Sequence, residues 1–114
     1  MQLNRVYTKM ITIEIQHFHG CPNSDEMIKN VKEAIKQSKT EITYKETLVD
    51  TPAKARLYKF RGSPTLLLNG IDLEGFPEPD LGNLACRYYK NGIPSVEELR
   101  NKIQQYAKRE VEHE

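Results

Sequence analysis

Ile11, Ile13 and Ile15 alternate with Thr12, Glu14 and Gln16, a period of two that predicts a strand with one buried face over residues 10–18. Gly20, Cys21 and Pro22 interrupt it. Met27, Ile28, Val31, Ala34 and Ile35 then recur on one helical face, so a helix should follow and reach about Ser38. Residues 42–49 are rich in β-branched and aromatic side chains and read as a second strand. Asp50-Thr51-Pro52 opens a short helix over residues 53–60, because a capping side chain followed by proline suits the first helical turn. Arg61-Gly62 should close it. The run Ser63-Pro64-Thr65-Leu66-Leu67-Leu68 enters an apolar strand, and Asn69-Gly70 turns it back into Ile71-Asp72-Leu73 as a hairpin.

Residues 74–94 are rich in glycine and proline and hold no period, so they read as a long loop with one helical turn around residues 84–88. Ungoverned loops of that length are usually functional or disordered. Ser95-Val96-Glu97-Glu98 is a capping box, and Val96, Leu99, Ile103, Tyr106 and Ala107 supply the apolar face of a last helix. The order β-α-β-α-β-β-α implies an α/β fold: a parallel pair joined by a right-handed crossover, then two antiparallel strands added to make a four-stranded mixed sheet. Residues 1–9 read as a lead-in, 10–107 as the domain and 108–114 as a charged tail, with no function expected of either end.

With 114 residues the chain has room for one domain. Its 17 Lys and Arg against 16 Asp and Glu give a net charge of +1, which is no electrostatic footprint for nucleic acid. No run nears the roughly 18 apolar residues of a membrane span. Nor do the first fifteen residues hold the apolar core of a secretory signal, so a cytoplasmic location is expected. Thiols stay reduced there, and cysteines are more often reactive, metal-binding or inert than bridging. The chain has two, Cys21 and Cys86, too few for a disulfide scaffold.

A strand running into Gly20-Cys21-Pro22-Asn23-Ser24 at a helix start, with Gly62-Ser63-Pro64-Thr65 opening a later hairpin strand, resembles the thioredoxin and glutaredoxin superfamily over residues 10–107. It is most similar to small bacterial members with a G-C-P motif and a lone cysteine in a late loop. The resemblance implies a thioredoxin-like three-layer sandwich. It places Cys21 as the nucleophile, Ser24 at the second motif position and Pro64 as a cis-proline facing Cys21. Pro22, Ser24, Ser63, Pro64 and Thr65 would then line the substrate site. The Ser63 backbone would be offered to an extended substrate chain by strand addition. Asn23-Ser24 departs from the family's second cysteine, which removes the dithiol cycle within the motif.

The residues support part of this chemistry by themselves. Cys21 before Pro22 falls at the helix N-cap, where free N–H groups and the helix dipole favour a thiolate, the attacking species of disulfide exchange, while Asp25 and Glu26 work against it. Cys86 has two readings: a resolving thiol for Cys21, since the hairpin returns the long loop to the Cys21 end, or a small core residue packed with Leu84 and Tyr88. His19 is expected on the rim of the site and His17 half-exposed on the strand. H-x-H-x-C is a poor match to metal-site spacing, so no metal and no cofactor is expected. Arg61 and Arg87 are the nearest groups for a carboxylate such as that of glutathione, and Tyr88-Tyr89 would either wall the site or pack the loop. The expected function is a thiol–disulfide oxidoreductase acting through Cys21, resolved by Cys86 or an external thiol, with protein or small-molecule thiols and disulfides as partners. The alternative is a non-catalytic protein of the same fold that holds a soft metal, a metalloid or a partner peptide.

Overall fold

The computed structural model describes residues 10–112. The expected lead-in of residues 1–9 lies outside them. The elements follow the expected order: β1 (Ile11–His17), α1 (Pro22–Lys36), β2 (Ile42–Leu48), α2 (Pro52–Leu57), β3 (Thr65–Leu68), β4 (Ile71–Asp72) and α3 (Val96–Glu112). They form an α/β fold around one four-stranded mixed sheet of order β2-β1-β3-β4. β1 pairs parallel with β2 and antiparallel with β3, which in turn pairs antiparallel with β4.

β1 is central, and its two faces part company as its alternation requires. Ile11, Ile13 and Ile15 join Leu66 and Leu68 of β3, Met27, Val31 and Ala34 of α1, and Leu99 and Ile103 of α3 in the main core. Burying such side chains contributes roughly 1.5–3 kcal/mol each, which is why two amphipathic helices suffice to cover that face. On the opposite face Thr47 donates to the Glu14 carboxylate at 2.6 Å and Gln16 reaches the same oxygen at 3.3 Å. A second, smaller cluster gathers Val49, Ala55 and Phe60 with Phe18 against it.

Local signals fix most boundaries. Thr51 Oγ1 accepts from Lys54 N–H at 3.1 Å and Pro52 occupies the first turn of α2. Ser95 and Glu98 exchange reciprocal hydrogen bonds of 2.8 and 3.1 Å as a capping box for α3. Asn69 and Gly70 both take positive φ, 53° and 82°, which the two-residue hairpin turn demands. Three expectations need correction. α2 stops at Leu57, before the expected 60, because Lys59 turns left-handed at φ 48° and frees Phe60 to fill the second cluster. α1 ends at Lys36, with Gln37 as its cap. The backbone of α3 continues through residues 108–112, beyond the point where a tail was expected.

The long loop is ordered against the body at two glycines. A Cβ on Gly62 would press on the Cβ of Arg87, and one on Gly82 would land on the carbonyl oxygen of Ala55 and the amide nitrogen of Phe60. Backbone lies too close at Gly82 for any side chain to be accommodated by a rotamer change. Gly82→Ala is therefore expected to destabilise the fold by about 1–3 kcal/mol or more, read as a lower urea midpoint with unchanged slope.

Candidate functional site

The site forms where β1 and β3 end and α1 begins. Cys21 is the N-cap of α1, with extended backbone (φ −92°, ψ 124°), Pro22 in the first turn and no side-chain cap of its own. Its position follows from Gly20, whose φ of 103° swings the chain out of β1. Ser24, one turn into α1, is buried, and its hydroxyl shares a 2.9 Å hydrogen bond with the hydroxyl of Ser63. Ser63 Oγ also accepts from Phe18 N–H at 3.0 Å. The Ser63–Pro64 peptide is cis, and both residues are fully buried.

Cys86 is bonded to Cys21 as a disulfide, with Cα atoms 5.7 Å apart across 65 residues of sequence. Of its two readings, the packed core residue is therefore set aside. The helical turn expected around residues 84–88 is absent. Those residues run extended, and Cys86 forms a parallel bridge with Ser63. Ser63 N–H donates to Ala85 O at 2.8 Å and Arg87 N–H donates to Ser63 O at 2.9 Å. The physical reason is competition for main-chain partners: Ser63 lies just before β3 with both groups open, and residues 85–87 satisfy them as no local helical turn could.

This pairing engages the backbone of one of the expected substrate residues. The Ser63 backbone is taken up by the chain itself and is not offered to an external strand. Thr65, expected to touch substrate, is buried with its hydroxyl donating to Gly62 O at 2.6 Å and accepting from Arg87 at 3.2 Å. Pro64 is covered, and its carbonyl accepts from the Tyr89 hydroxyl. Pro22 alone of the expected binding residues is exposed, beside Cys21 in a shallow depression lined also by His17, Phe18, His19, Gly20, Ser24 and Asp25. His19 sits on that rim. His17 is 8% exposed and packs edge-on to His19, so it is buried where half-exposure was expected. Among the described residues no group of three or more His, Cys, Asp and Glu comes together as a metal centre.

Of the two arginines considered for gripping a carboxylate, Arg87 is engaged internally and Arg61 in part. Arg87 forks onto Asp72 with bonds of 2.8 and 2.9 Å, reaches Glu74 at 3.3 Å, and lies over the rings of Phe76 and Tyr89, 4.1 and 4.9 Å from their centroids. Its side chain is 3% exposed and that of Asp72 2%. Arg61 Nε donates to Phe76 O at 3.0 Å and stands 3.6 Å from Asp72. Tyr89 packs in the core while Tyr88 is exposed, so the pair neither walls the site nor packs as a unit. Sequence reading missed the Arg87–Asp72 pair. The only trace it leaves is the alternation of buried Arg87 and Tyr89 with exposed Tyr88, and that is hidden because the first buried residue is charged.

No family of known proteins has a sequence model that matches the chain, and no curated protein is significantly similar to it.

The Arg87–Asp72 pair sets an acid limit. Burial pushes the Asp72 carboxyl up, but hydrogen bonds from Arg87 and from the N–H groups of Glu74 and Phe76, with the guanidinium charge, outweigh it and hold the carboxyl below its ordinary value. A lowered folded value means the contribution is complete at neutral pH, begins to fail as pH drops below about 4, and is lost on passing the folded value. Asp72→Asn strands a buried guanidinium and should cost about 3–5 kcal/mol at pH 7. In acid titrations of unfolding free energy, the variant should show a shallower slope than the wild type below about pH 4.

Proposed function

We propose that the chain is a thioredoxin-like thiol–disulfide oxidoreductase whose redox couple is Cys21 with Cys86. The observation that carries this is the meeting of the two cysteines at the N-terminus of α1, from segments 65 residues apart. The strand order, with the cysteine at the first strand-to-helix turn and Pro64 entering the third strand, supports the family assignment and its three-layer arrangement. With Asn23-Ser24 in place of a nearby second cysteine, the resolving thiol comes from the late loop.

In the reducing direction the Cys21 thiolate attacks one sulfur of a substrate disulfide and expels the other half as a thiolate. The Cys86 thiolate then attacks the Cys21 sulfur, closes the Cys21–Cys86 disulfide and releases the second substrate thiolate. The substrate gains the two electrons that the cysteine pair loses. Two equivalents of an external thiol, such as glutathione in the cytoplasm, restore the pair. Helix N-terminal N–H groups favour the Cys21 thiolate in both its roles, as attacking and as leaving group.

The reduced protein should reduce a small aromatic disulfide with Cys21 alkylating faster than free cysteine at pH 7. Cys21→Ser should abolish reduction. Cys86→Ser should slow turnover tenfold or more and let a mixed disulfide on Cys21 accumulate, detected as a mass increment on the intact protein. Ordinary alkylation of Cys21 together with no disulfide reduction would overturn the proposal.

A further inference from the structure

Arg87 follows Cys86 directly in sequence, and its hydrogen bonds and ring contacts go to residues other than the cysteines. Its guanidinium is held by Asp72, Glu74 and Thr65 and lies over Phe76 and Tyr89, and its N–H is bonded to Ser63. Opening the disulfide removes none of these. Resting on the oxidoreductase reading, we propose that Arg87 is the positioning residue of Cys86: its pair with Asp72 keeps residues 85–87 docked on Ser63 in the reduced as well as the oxidised protein.

The energetics of buried ion pairs support this. Two desolvated charges contribute little net stability compared with apolar side chains of the same volume, and their best-attested use is to fix register. A forked guanidinium fixes orientation as well as distance, which a lysine ammonium does not. Neighbouring Cα atoms are about 3.8 Å apart, so anchoring Arg87 through both its side chain and its N–H leaves Cys86 little segmental freedom. Ala85 is tied on the other side, through its carbonyl, to Ser63 N–H. A thiol held this way meets its partner at high effective concentration, which favours ring closure and makes the pair more reducing. The same docking keeps the Ser63 backbone occupied in both redox states. Substrates would therefore reach the sulfurs through the depressions beside Cys21 and Cys86, without adding a strand at Ser63.

Two measurements on the full chain test this. Hydrogen exchange of the wild type with and without dithiothreitol should leave the Ser63 and Arg87 amides protected in both conditions; loss of that protection on reduction would overturn the proposal without any variant. Equilibration in glutathione redox buffers, read by thiol trapping, should show the disulfide of Arg87→Lys formed at least tenfold less favourably than that of the wild type, a rise of about 30 mV in reduction potential. A folded Arg87→Lys protein with the wild-type potential would equally overturn it. If that variant fails to fold, Asp72→Asn replaces it, and wild-type protection of the Ser63 and Arg87 amides in reduced Asp72→Asn would overturn the proposal. Turnover of a small disulfide is scored separately: its absence with amide protection intact would remove the oxidoreductase reading and leave the docking in place.

Discussion

The buried pair of Arg87 with Asp72 ties the long loop to the sheet, one residue beyond the Cys86 that meets Cys21. Asp72 sits at the end of β4 in a hairpin whose register is set by Asn69-Gly70. Arg87 reaches it from a loop that has no helix or strand of its own. Burial of either charge alone would be heavily unfavourable, so the two must arrive together. Around that guanidinium, Ser63 has both of its main-chain partners in the loop, Tyr89 packs in the core, and Cys86 is bonded to Cys21.

Ser63 is the second point on which the site turns. Its hydroxyl joins the end of β1 to α1 through Phe18 and Ser24, while its backbone joins β3 to the loop through Ala85 and Arg87. A residue that a sequence reader would offer to substrate is instead saturated by the molecule itself. Surface depressions flank the disulfide on both sides, one by His19 and Pro22 at the first turn of α1 and one by Arg61 and Ala85.

How much was readable in advance follows from the range of each interaction. The strands, helices, hairpin and caps rest on contacts within a few residues. The alternation of Ile11, Ile13 and Ile15, the capping box at Ser95 and the Asn69-Gly70 turn each announce themselves in their own segment. Residues 84–88 do not. Their extended course depends on open main-chain groups at Ser63, and Arg87 looks like a surface residue until Asp72 is placed beside it. Lys59 shows the same limit on a smaller scale, ending α2 early so that Phe60 can pack with Val49 and Ala55.

The sequence by itself determined the α/β order of elements and the lodging of Cys21 at a helix start, because periodicity, glycine, proline and capping chemistry act locally. Only the tertiary structure decided that Cys86 meets Cys21, that Ser63 pairs with residues 85–87, and that Arg87 bonds to Asp72 and Thr65 in the interior. Those outcomes turn on pairing main-chain groups and opposite charges between segments far apart in the chain, and such pairing has no periodic signature to read.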